Sequence, residues 1–126
     1  MSEVVLVALG SAVGGVFRYL AGLCLKSNSV FPVATFAVNI AGSLLIGIIS
    51  GWLSRMAAGQ GEVSSLLRAF LVIGVCGGFT TFSTFSNELF RMLHASQYLI
   101  AALYATLSLL SGVLSVFLGW MLSHIG

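Results

Sequence analysis

Phe79, Phe82 and Phe85 recur every three residues in the stretch GGFTTFSTFSNE, residues 77–88, and Thr81, Thr84 and Glu88 follow one another at i, i+3 and i+7. Residues three and four apart are neighbours on a helix. One side of such a helix would offer rings, and the adjoining side hydroxyls and a carboxylate. A phenyl ring has a negative face and a positive edge, so rings presented edge-on attract an anion without carrying charge. The same rings equally suit plain packing against lipid or core.

Other polar groups in apolar surroundings extend the theme. Tyr104, Ser108, Ser111 and Ser115 are spaced i, i+4, i+7 and i+11, a stripe of hydroxyls on an otherwise aliphatic segment. Such a stripe either lines a polar path or joins helices by hydrogen bonds. Asn39 stands in TFAVNIAGS, with Thr35 one turn earlier on the same face. An amide in hydrocarbon must be paired or face water, and its NH2 can donate to an anion. Arg18 is the one charge deep in the first apolar run. A charge at the bilayer centre costs roughly 2.5–3.5 kcal/mol or more, so Arg18 needs carbonyls, water or a carboxylate. Glu88 is a candidate partner, and snorkelling toward a helix end is the alternative.

Several functions are disfavoured. The chain has no Asp, and His94 and His124 fall at the ends of apolar runs, so no nucleophile, base and acid come together and catalysis is not expected. Cys24 and Cys76 lie in apolar runs without a second ligand nearby, which reads as packing rather than metal or haem binding. A net charge of +2 without a Lys/Arg cluster argues against nucleic acid. What is left, a mostly neutral lining of hydroxyls, an amide and ring edges, suits a small anion that sheds water.

The elements that must hold these groups are membrane spans. Of 126 residues, 59% are hydrophobic and 6% charged, against about 25% charged in a soluble domain. A span needs about 20 apolar residues, and four candidates fit, at about 4–25, 33–53, 66–93 and 98–122. The N-terminal run lacks a basic flank and is too long for a signal-peptide core, so it reads as a retained first span. Short connectors predict one transmembrane domain over 1–126, an up-down bundle of four helices. Gly74, Gly77 and Gly78 weaken the third span in the middle of its polar motif. A break there must be covered by protein or line a water-filled cavity; broken helices often form ion sites, although small residues also serve close helix packing. Arg55 and Arg68 fall on one side of the membrane and Lys26 and Arg91 on the other, so positive charge sets no orientation. Two opposed copies, paired about an axis in the membrane plane, satisfy that balance; a single orientation set by Arg18 or a partner is the alternative. Gly10-x-x-x-Gly14 and Gly47-x-x-x-Gly51 are available for close helix contacts.

GGFTTFSTFSNE closely resembles the signature of the Fluc, or CrcB-like, family of small bacterial fluoride channels. GGVFRY around Arg18, TFAVNIAGS around Asn39 and the Tyr104/Ser108 pair fall in the family's order and spacing, so the likeness covers essentially the whole chain. The resemblance implies an all-α, dual-topology antiparallel homodimer in the bacterial inner membrane, with two fluoride pores each lined by both subunits. It implies that Phe82 and Phe85 present ring edges to fluoride and that Asn39 donates an amide hydrogen. Tyr104 and Ser108 would belong to a polar track, with Thr81, Ser83 and Thr84 supplying further hydroxyls. Arg18 and Glu88 would sit at a vestibule or pore entrance. Backbone carbonyls of Gly77 and Thr80 from both subunits would hold a structural Na+ on the two-fold axis. Gly112 replaces a serine of the track found in some relatives, which leaves Ser111 off the expected line, and Phe79 is not placed on the anion path. The competing readings are a small multidrug exporter, which needs a membrane-embedded carboxylate in the first span, and a membrane assembly protein, which would not account for the motif.

Overall fold

The computed structural model describes residues 2–26, 30–56 and 61–125; parts of both polar connectors lie outside them. Helix α1 spans Ser2–Cys24 and α2 spans Val33–Met56. The third span is composite: α3 at Gly61–Leu67, a π-helical stretch at Arg68–Cys76, one turn α4 at Gly77–Phe79, and α5 at Phe82–His94. Helix α6 spans Tyr98–Ser123. Among the described residues, four helical units are long and apolar enough to cross a membrane, with Gly61–His94 as the third. This is the predicted all-helical, four-span architecture, and the third span breaks inside the predicted motif.

The third span starts earlier than its apolar run, at Gly61 rather than near Leu66. Glu62 lies in its first turn, where the helix dipole favours negative charge. Ser65 Oγ donates to Glu3 Oε1 at 3.0 Å, tying that turn to the start of α1. At the other end, Ser96 adopts φ 61. The Ser96 and Gln97 N–H groups donate to the carbonyls of Leu93 and Met92, which closes α5 with a Schellman motif and turns the chain into α6.

Packing falls into two helix pairs. Helix α1 lies chiefly against the π-helical stretch and α4, and α2 chiefly against α6. In each pair backbone meets backbone. A methyl group on Gly14 would overlap the Val75 carbonyl, and one on Gly119 would overlap the Leu44 carbonyl and stand 2.8 Å from Ile48 N. Without a hydrophobic drive between helices in lipid, such close contact is the main source of association. We expect Gly119→Val to lower the apparent stability by about 1–3 kcal/mol, read as a lower thermal transition in detergent; an unchanged transition would place the α2–α6 contact elsewhere. Of the two cysteines, Cys76 is buried but Cys24 is exposed on the last turn of α1, so packing accounts for only one of them within the chain.

Candidate functional site

The break has a specific construction. Thr80 (φ −90, ψ 161) and Thr81 (φ −152, ψ 120) are extended between α4 and α5. Thr80 keeps a helical tie to the turn before it, its N–H and Oγ1 both donating to the Cys76 carbonyl at 3.0 and 2.9 Å. Thr81 does not. Its N–H donates to Asn39 Oδ1 at 3.1 Å, and Asn39 Nδ2 stands 3.5 Å from the Thr81 carbonyl. Thr81 is also the N-cap of α5, its Oγ1 accepting from Thr84 N at 3.2 Å and donating to Thr84 Oγ1 at 3.1 Å. In a continuous helix the N–H groups of Thr81 and Thr84 would satisfy the carbonyls of Gly77 and Thr80. Here both donors are diverted, and those two carbonyls lose their helical partners.

An open groove of about 330 Å³ lies against the break, its lining including Asn39, Gly77, Thr80, Thr81, Phe82, Phe85, Ser108 and Gly112. It thus collects the Phe82 and Phe85 rings, the amide, the two carbonyl positions and two hydroxyl residues, Thr81 and Ser108, of the predicted site. The Phe82 and Phe85 centroids are 6.2 Å apart with the rings tilted by 42°. Phe82 is 79% exposed, which for a ring beside a polar break in mid-span means that its own chain does not cover it. Ser108 Oγ is buried without a hydrogen-bond partner among the described residues. A serine hydroxyl so placed is normally paired, so Ser108 brings an unsatisfied donor to the wall of the groove.

Glu88 belongs to a second cluster, not to an ion pair with Arg18. Thr35 Oγ1 donates to Glu88 Oε2 and Tyr104 OH to Glu88 Oε1, each at 2.8 Å. Tyr104 is fully buried and Thr35 nearly so. Phe85 packs on the Tyr104 ring at 5.0 Å, so the cluster sits directly behind the groove. Glu88 also borders a cavity of about 250 Å³ with Arg91, Met92 and Gln97. Arg18 is exposed and borders a smaller cavity of about 70 Å³ beside Thr35, Thr81 and Thr84. Tyr104 therefore meets the groove through the Phe85 ring, with Glu88 behind it, while Ser108 lines the groove itself. Ser83 is exposed and is not among the groove's lining residues. The groove takes Gly112 rather than Ser111, and Phe79 is likewise outside its lining.

Residues 5–120 match the family described as CrcB-like protein, Camphor Resistance (CrcB). The chain belongs to the CrcB-like family. Among its relatives, a protein of Flavobacterium psychrophilum is 43% identical over 125 residues, covering 98% of each chain. One of Hyphomonas neptunium is 44% identical over 128 residues, covering 99% of this chain and 98% of its own. Both relatives carry the name fluoride-specific ion channel FluC. The Asn39 amide, expected to be paired or to face water, is paired with the Thr81 backbone, a partner that its sequence position does not reveal. Thr35 was noted only for its face, and Phe31, whose ring meets Tyr104 at 5.2 Å, was missed; its position just before the chain's one proline was the available signal.

Proposed function

We propose that this CrcB-like protein is a fluoride-selective channel that lets F− leave the cytoplasm passively across the bacterial inner membrane. The observation that carries the reading is the groove at the break. Two tilted rings, an amide with a spare N–H and a hydroxyl without a partner among the described residues converge there, and none of its described lining residues carries a formal charge. Such donors replace the water of a small anion while leaving it loosely enough held to move on. No chemical step is involved. HF crosses membranes neutral and dissociates inside, and an anion channel drains the fluoride that is trapped.

The groove is open on one side, and Phe82 stands uncovered in it. A second, antiparallel copy would close it, giving a dual-topology homodimer with two pores. Within each pore, Phe82, Phe85, Asn39 and Ser108 would face the ion, with Thr81, Ser83 and Thr84 nearby, Tyr104 behind the Phe85 ring, and Arg18 at an entrance. The carbonyls of Gly77 and Thr80, deprived of their helical donors, fit an oxygen-ligated Na+ shared between the copies; bound there, the ion would supply positive charge that joins the two breaks. An exporter that trades protons through a carboxylate in its first span is less well supported. The one acidic residue of α1 is Glu3 in its first turn, already hydrogen-bonded to Ser65.

The test is fluoride release from liposomes holding the purified protein, followed with a fluoride electrode, with a K+ ionophore to dissipate voltage and chloride as control anion. Release of fluoride but not chloride is expected, and Phe82→Ala should slow it at least about fivefold. A folded protein that releases no more fluoride than empty liposomes would sink the channel reading.

A further inference from the structure

We infer that Phe31, in the connector between α1 and α2, is a positioning residue for ion passage: its ring sets the tilt of the Tyr104 phenol and so delivers the hydroxyl to Glu88. The inference rests on the fluoride reading above. Tyr104 is held between two rings, Phe85 at 5.0 Å from the groove side and Phe31 at 5.2 Å, the latter at 77°, edge against face. Phe31 is in turn braced edgewise by Phe36 at 5.3 Å and 68°. A hydroxyl hydrogen bond weakens steeply as its angle closes. The 2.8 Å contact of Tyr104 OH with Glu88 Oε1 therefore depends on the ring's tilt, and Glu88 has its other oxygen on Thr35.

The connector is built to hold Phe31 still. Pro32, the chain's one proline, follows it, and the residue before a proline is restricted to extended backbone. The Val33 N–H donates to the Phe31 carbonyl at 2.9 Å, and Phe36 N–H to the Pro32 carbonyl at 3.0 Å. The ring thus leaves from a point fixed to the first turn of α2. Its neighbours Val30 and Pro32 line the cavity that Glu88 borders, so one short segment both walls that cavity and braces the phenol behind it.

A role exerted through the Tyr104 hydroxyl should vanish when that hydroxyl is removed, whereas a general packing role should not. Fluoride release is therefore compared for wild type, Phe31→Leu, Tyr104→Phe and the double variant. Phe31→Leu should slow release about three- to tenfold. Phe31→Tyr, which keeps the ring, should remain within about twofold of wild type. In the Tyr104→Phe background, Phe31→Leu should change the rate by less than about twofold. Wild-type rates for Phe31→Leu, or equal slowing in both backgrounds, would overturn the proposal. If the leucine variant does not elute as the wild type does, the same cycle runs with Phe31→Met, and misfolding of both assigns Phe31 to the fold and overturns the positioning role. A wild-type protein that releases no fluoride tells against the channel reading itself; with release established, these outcomes bear on Phe31 alone.

Discussion

Replacing Asn39 with alanine should abolish fluoride release and also weaken the fold. The amide oxygen is the acceptor for the Thr81 N–H, which has no turn of helix to fall back on because Thr81 is extended. In a membrane interior water is not there to take over, and an orphaned backbone group costs about 1–3 kcal/mol. The thermal transition in detergent should fall accordingly. Asn39→Asp should fare no better. Its carboxylate can accept from Thr81 N–H, but its other oxygen then faces the Thr81 carbonyl and a charge at membrane depth costs roughly 2.5–3.5 kcal/mol or more, so stability should not recover. With no N–H for an anion, release should stay at the background of empty liposomes. Wild-type stability in Asn39→Ala would show that the clamp on Thr81 is dispensable.

Glu88→Leu should be damaging for a different reason. Two hydroxyls lose their acceptor together. Thr35 is on the first turn of α2 and can turn to a carbonyl one turn back. Tyr104 is fully buried, with its ring held by neighbours, so water cannot take the place of Glu88 and the Thr35 hydroxyl is the nearest substitute. The expected loss is about 1–3 kcal/mol, because removing one partner costs more than removing both. Glu88→Leu combined with Tyr104→Phe should therefore be more stable than Glu88→Leu alone, while neither releases fluoride. A double variant no more stable than the single one would show that the phenol is satisfied in some other way.

Much of this architecture could be read from residues. Long uncharged runs set the spans, and a cluster of glycines and hydroxyls in one of them marked the break. Phe82 and Phe85 stay together because three-residue spacing survives on the intact helix α5, whereas Phe79, beyond the break, leaves the groove. What could not be read were contacts set by which helices pack together. Asn39 and Thr81 are 42 residues apart, and Thr35 and Glu88 are 53 apart. Neither spacing nor polarity says which acceptor a buried donor will find at that separation, so Glu88 was weighed against Arg18 when two hydroxyls already claimed it. Phe31 was overlooked because an aromatic residue in a connector carries no period. The π-helical winding of Arg68–Cys76 also left no mark in an apolar run.

The pairing of α1 with the third span and of α2 with α6 bears on how the protein is made. Neither helix packs mainly on the segment that follows it in the chain. When the ribosome has delivered the first two spans, their glycine faces have nothing to close against. The partner of α1 arrives one span later, and that of α2 last of all. Biosynthesis thus leaves α2 without its main partner until the final helix enters, so the bundle closes pair by pair across intervening spans rather than hairpin by hairpin.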